Sequence, residues 1–311
     1  MKKINVAVIG IGNLGQHHAR IYYSMKDIVN LVSIVDVDHT KIEKYKKVYP
    51  DVEFYTDYKK IIDKIDAVSL VVPTKLHYSI AKDLILAKKH ILVEKPITTT
   101  VSEAEQLVNL AEQNNVVLQV GHVERFNPVV QTIKDFVSEP KFIESIRLSS
   151  FDPRVADIGV VLDLMIHDID IILSYTKSEL KSIEAYGAKV FTNNEDIVKA
   201  RLRFDNGCIC DLTASRISLN KYRKMHIFQT DSYISIDFMR QNAKVYKKVI
   251  SQNMQKVELV RPKIKKDEPL KLELQSFISS IIENKKPVVT GYHAKKALSV
   301  AIDIVNQLKL G

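Results

Sequence analysis

Three residues carry the chemistry most open to interpretation: a lysine ending an apolar run, and an aspartate and a histidine one turn apart in an apolar segment. Lys95 follows Ile91-Leu-Val-Glu94 and precedes Pro96. A lysine leaving an apolar strand for a cleft can lose its charge or act as a strong donor. The alternative is a surface lysine at a strand end. The segment from Val160 to Ser174 is apolar around most of a helical circumference, with Asp163, His167, Asp170 and Ser174 at helical spacing along one stripe. A buried stripe of acids and a histidine needs partners, because unpaired charge is costly in an apolar interior. The stripe either lines a substrate cleft or forms an internal hydrogen-bond network that joins two domains. On the first reading Asp163 supports the His167 imidazole as a base. His167 then removes the proton of a hydroxyl, while Lys95 stabilises the charge developing on its oxygen. That is alcohol oxidation, and it requires a hydride acceptor.

The chain carries a motif suited to one. Gly10-Ile-Gly12-Asn13-Leu14-Gly15 follows an apolar run and opens a helical pattern. Gly10 permits a tight turn, Gly12 lets the backbone approach a pyrophosphate, and Gly15 allows close helix–strand packing. The helix N-terminus then offers free N–H groups to phosphate. Asp36 ends the next apolar run, where an acid accepts ribose hydroxyls and repels a 2′-phosphate, so NAD is expected over NADP. In such folds ligands sit beyond the carboxyl ends of the strands. These ends are Val72-Pro73-Thr74, Glu94-Lys95 and Gly121-His122. Thr74, Glu94 and Lys95 are therefore expected at the cofactor and His122 at the substrate. His77 faces either the cleft or solvent.

The elements that must hold these residues change character along the chain. Residues 1–122 alternate short apolar runs with helical patterns, as in a doubly wound parallel sheet of the Rossmann type. Thr74 is placed to cap one helix, and Thr100-Val-Ser-Glu103 reads as a capping box before another. Residues 123–311 read as a second, α+β domain. Its strands are expected at 143–149, 182–190, 198–204, 208–217 and 225–230, with a turn at Asp205-Asn-Gly207. Helices are expected at 160–173, 270–282 and 292–308, and the last can pack back on the first domain.

Composition limits the function classes. The 311 residues are 46% hydrophobic and 27% charged, ordinary for a globular chain with two domains. No apolar run is long enough to span a bilayer, and the N-terminus reads as a first strand and not a signal peptide. The net charge of +9 comes from scattered lysines, so solvated surfaces explain it better than a nucleic-acid footprint. Cys208 and Cys210 are too close in sequence for an easy disulfide and lack a second pair for zinc, so no metal is expected. A reducing cytoplasm fits best.

Taken in order, the glycine motif, Glu94-Lys95-Pro96, Gly121-His122 and Asp163-x-x-x-His167 resemble the Gfo/Idh/MocA oxidoreductases over essentially the whole chain. The resemblance implies a Rossmann domain followed by an open, mainly antiparallel sheet domain that pairs in homodimers or homotetramers. It also implies Lys95, Asp163 and His167 as the catalytic group. The stretches 120–128 and 157–170 further resemble the nucleotide-sugar 3-dehydrogenases of that family. This implies oxidation of the 3-hydroxyl of UDP-N-acetylglucosamine, for lipid A or surface-polysaccharide synthesis. By type, Arg125 and Arg154 suit a diphosphate and Asn127 a sugar or ribose group, although each arginine equally suits a structural ion pair. A free-polyol dehydrogenase and a non-catalytic NAD-binding regulator remain as alternatives.

Overall fold

The structure is a computed structural model that describes residues 3–153, 157–251 and 254–310. The chain forms two compact units. One comprises Met1–Val123 with Leu270–Lys295, the other Glu124–Pro269 with Lys296–Gly311.

In the first unit six short strands form one parallel sheet: β1 (Ile4–Ile9), β2 (Val29–Val35), β3 (Glu53–Tyr55), β4 (Ala67–Leu70), β5 (His90–Glu94) and β6 (Leu118–Gly121). Their order is β3-β2-β1-β4-β5-β6. The central strands are mostly Val, Ile, Leu and Ala because both faces are covered, with Ser69 of β4 buried as well. Val6, Val8 and Leu92 enter one core with Leu274 and Phe277 of the later helix Pro269–Ile282. The alternate residues Ala7, Ile9, Val68 and Leu70 are equally buried. Helices α1 (Gly15–Ser24), α2 (His39–Lys46), α3 (His77–Leu86) and α4 (Val101–Gln113) lie between the strands in sequence. Both halves of the expected capping box form at α4. Thr74 does not cap α3. A 3₁₀ turn, Thr74–Leu76, intervenes, and α3 starts without a side-chain cap.

Register is what makes this sheet a platform. Val35, Ile9, Leu70, Val93 and Val120 form one row across it. The next residue of each strand therefore emerges at the same carboxyl edge: Asp36, Gly10, Val71, Glu94 and Gly121.

The second unit opens with α5 (Pro128–Ile133) and β7 (Pro140–Leu148). Then come α6 (Ile166–Thr176), β8 (Leu180–Ala188), β9 (Ile197–Phe204), β10 (Ile209–Ser215), β11 (Tyr222–Gln229), β12 (Ser232–Asp237), β13 (Asn242–Ser251) and β14 (Met254–Val260). After α7 (Pro269–Ile282) and α8 (Gly291–Asn306), β15 (Lys309–Leu310) completes a nine-stranded sheet ordered β14-β13-β12-β11-β7-β10-β9-β8-β15. Pairing is antiparallel except between β7 and β10 and between β8 and β15. One face packs Ile143, Leu202, Leu212 and Ile227 against Val129, Ile169 and Ile172. The other carries Phe142, Phe228, Tyr233 and Tyr246 as a cross-strand row with ring centroids 5.9, 4.9 and 5.7 Å apart.

The predicted strands and the turn at Asp205-Asn-Gly207 are present, Gly207 adopting φ +82°. Strands β12 to β15 were not foreseen. Strand β14 has no buried–exposed alternation, and that of β13 breaks at the exposed neighbours Lys247 and Lys248, so neither reads as a half-buried strand. Cys208 and Cys210 share a face of the sheet as buried free thiols, their sulfurs 3.8 Å apart. Among the described residues no helix is long and apolar enough to cross a membrane.

Candidate active site

At the carboxyl edge of the parallel sheet, the chain leaves β1 through the glycine turn. Gly10 has φ +93°, and a Cβ there would lie 2.2 Å from the Val71 carbonyl oxygen. A Cβ on Gly15 would lie 1.8 Å from the carbonyl oxygen of Gly10, which fixes how closely α1 approaches the strand. Gly12, by contrast, faces open space, as a backbone that must admit a pyrophosphate requires. Asn13 and Leu14 are exposed beside it. Asp36 is tied into the same turn: its Oδ2 accepts the Ile11 N–H at 2.8 Å and its Oδ1 the Asp38 N–H at 2.9 Å. A carboxylate has about four acceptor positions, so capacity for ribose hydroxyls remains. The residues present fit a dinucleotide.

The next strand ends add charge. Glu94 is 7% exposed, and its Oε1 lies 3.1 Å from Nε2 of His18, a fully buried residue of α1. Its Oε2 accepts the Lys95 N–H at 3.3 Å. A side chain on Gly121 would strike this carboxylate at 2.7 Å. Glu94 thus braces the glycine-loop helix against the strand that delivers Lys95. Sequence reasoning missed His18. The available signal was its place with Gly15, Ala19 and Tyr22 on the buried face of α1. Lys95 itself is half-buried, and His122 is buried at the neighbouring strand end.

His77, expected at the cleft or in solvent, is buried between two strand-end segments. Its ring is 1% exposed, with Nδ1 3.0 Å from the Pro96 carbonyl and Nε2 2.9 Å from that of Val72. Burial pushes its pKa below the ordinary value, against the pull of the two carbonyls. Its neutral ring carries one N–H, which donates to one of the two carbonyls.

In the second unit α6 continues from a π-helical turn, Val161–Met165, in which the Ile166 N–H reaches back to the Val161 carbonyl. The polar stripe therefore straddles a change of helical phase. Asp163 and His167 are half-buried, Asp170 is buried, and the Ser174 hydroxyl donates to the Ile171 carbonyl at 2.6 Å. Glu195 supports the start of the segment, accepting the Val161 N–H at 3.3 Å.

Two residues expected at the substrate have partners inside this unit. Arg125 pairs with Asp170 at 3.3 Å, so its guanidinium is engaged inside this unit. Asn127 caps α5 by accepting the Val129 N–H at 3.2 Å. Its amide donates to Glu124 at 3.2 Å and to the Phe238 carbonyl at 3.1 Å, which uses its polar capacity where it is 3% exposed. Arg154 lies outside the described residues.

The largest buried charge cluster was not foreseen. Arg147 of β7 is 1% exposed and meets Asp168 through Nε and Nη2 at 3.0 and 2.7 Å, and Glu124 through Nη1 at 2.8 Å. Arg223 reaches Glu124 at 3.3 Å. Burial raises the Glu124 pKa, but the two arginines outweigh it and hold the carboxyl below its ordinary value.

Fold and residues together define an oxidoreductase, and the chain belongs to the Gfo/Idh/MocA family. Residues 4–122 match its oxidoreductase domain with NAD-binding Rossmann fold, and residues 145–235 match the GFO/IDH/MocA C-terminal domain. Among its relatives, the UDP-N-acetylglucosamine 3-dehydrogenase of Acidithiobacillus ferrooxidans is 29% identical over 98% of this chain and 97% of its own. A solved structure of that enzyme superposes with a TM-score of 0.92, covering 99% of this chain and 98% of the other. The scyllo-inositol 2-dehydrogenase (NAD(+)) of Bacillus subtilis is 25% identical over 99% of this chain and 95% of its own. A levoglucosan dehydrogenase complex with NADH shares the fold at a TM-score of 0.87 and 20% identity, over 98% of this chain and 97% of the other.

Proposed function

We propose that the protein is an NAD-dependent nucleotide-sugar dehydrogenase that oxidises the 3-hydroxyl of UDP-N-acetylglucosamine to a ketone. The observation that carries this is the near full-length similarity to an enzyme of that name, at 29% identity and a TM-score of 0.92. In this reading Gly10, Gly12, Asn13, Leu14 and Gly15 receive the pyrophosphate, and Asp36 receives the ribose. Bound NAD supplies the hydride acceptor. Lys95 donates a hydrogen bond to the reacting oxygen and stabilises its developing charge. His167 accepts the hydroxyl proton, and Asp163 supports the imidazolium that results. A similarity-based extension is that the ketone is aminated in lipid A or surface-polysaccharide synthesis. A second is that copies pair through the sheet face bearing Phe228 and Tyr246.

One observation favours a second reading. Arg125 pairs with Asp170 through one guanidinium nitrogen, the structural alternative to a diphosphate contact, which favours a free polyol as the alternative substrate. Incubating the protein and NAD with a panel of UDP-sugars and free polyols, and following NADH absorbance, separates the two. Turnover with UDP-N-acetylglucosamine alone supports the first reading. Turnover with inositols alone replaces it with the second.

A further inference from the structure

We propose that Asp168 is a positioning residue: through its paired bonds to Arg147 it sets the rotation of α6 and hence the aim of His167. The inference rests on the reading of His167 as the base.

Consecutive helical residues leave the axis about 100° apart. Asp168 is 2% exposed and points at β7, so the half-buried His167 leaves α6 in a different direction. The rotation of the helix about its axis therefore decides where the imidazole goes. The preceding π turn shifts the phase of α6 from that of a regular α ladder. Side-chain contacts hold the helix at that phase. Asp168 does so through two parallel bonds to the planar Arg147 fork, a geometry far more restrictive than one ionic contact. Arg147 is itself held by Glu124 and lies over the Phe238 ring, its guanidinium carbon 5.5 Å from the ring centroid. Glu124 takes further bonds from Asn127 and Arg223. On the next part of α6, the Asp170–Arg125 pair adds a second restraint.

Stability alone does not account for this cluster. Buried ion pairs gain little over apolar packing of equal volume, because desolvation offsets the attraction. What they supply is a unique geometry, and the residue beside the clamp is the one whose geometry matters most for proton transfer.

The test uses full-length D168N and R147K, each paired with wild type and H167A. Folded molecules are counted by NAD-binding stoichiometry, and turnover is measured with UDP-N-acetylglucosamine. D168N loses the charge and one acceptor of the fork. R147K keeps the charge but loses the fork. We expect NAD affinity and KM for the sugar nucleotide to stay near wild type, while kcat per NAD-binding site falls about 10²-fold in both variants. Adding D168N or R147K to H167A should lower turnover no further than H167A alone does. Wild-type kcat per NAD-binding site in D168N, with only a lower melting temperature, would overturn the proposal. If D168N does not fold, R147K alone decides in the same way. Full activity in H167A, or no turnover by wild type, overturns the proposal together with the reading beneath it. Loss in H167A with none in D168N and R147K overturns this proposal alone.

Discussion

Lys95 and His167 make the enzyme reading most exposed to test at the level of single residues. Lys95→Ala and His167→Ala should each lower turnover by about 10²–10⁴-fold while the melting temperature stays near wild type, since both side chains are only half-buried. Steady-state kinetics on the folded variants measures this, and near-normal turnover in both removes the assignments. In the proposed function Asp36 sets cofactor choice by charge. Its Oδ2 also anchors the Ile11 N–H, so D36N is a cleaner probe than truncation because the amide oxygen can keep that bond. With the negative charge gone, the NAD-over-NADP ratio of kcat/KM should fall about tenfold, equivalent to roughly 1.4 kcal/mol. An unchanged ratio would place discrimination elsewhere. Residue types alone did not reveal the partners of Arg125, Asn127 and His77, which are Asp170, a helix cap and a pair of carbonyls respectively.

Elements show how the candidate residues are held. The loop between β8 and β9 ends in Asp196, which is fully buried and accepts the N–H groups of Val190, Phe191 and Thr192 and the Thr192 hydroxyl. Arg216 lies 3.0 Å from the same carboxylate. Burial raises its pKa, but these bonds win and hold it at about 2, below the ordinary 3.8. A carboxyl with a depressed folded-state pKa stabilises the fold above its unfolded value, and that contribution is lost as pH falls towards the folded one. Wild type should therefore lose stability between pH 3.8 and about 2, and D196N should lose less over the same interval while being weaker at neutral pH. Urea midpoints across that range measure it, and parallel curves for the two proteins would sink the idea. The same loop gives Glu195 its hold on the Val161 N–H, so the element that anchors Asp196 also steadies the start of the His167 segment.

Across the whole molecule, the second sheet carries an aromatic row on one face, with Phe228 41% exposed and Tyr246 aligned with Tyr233. If this face pairs copies, placing a charge in it desolvates that charge at the interface. F228K should move the protein to smaller species in light scattering with its melting transition retained. An unchanged mass would show that the face is not the contact.

Local patterns determined much of this protein directly. Apolar runs too short for helices, broken by glycine and by helix caps, specified a parallel sheet, because a strand covered on both faces must be apolar throughout. The spacing of Gly10, Gly12 and Gly15 with Asp36 specified the dinucleotide edge, because the required backbone conformations are local. The strands of the second half that alternate were legible, while β13 and β14 were not, because Lys247-Lys248 breaks the alternation of β13 and the edge strand β14 has none. Tertiary structure alone decided the partners. His18 with Glu94 and Arg147 with Asp168 are separated by 76 and 21 residues, and Asp168 fell outside the polar stripe read from helical spacing. Which acid is clamped depends on helical phase, and one π turn is enough to change it.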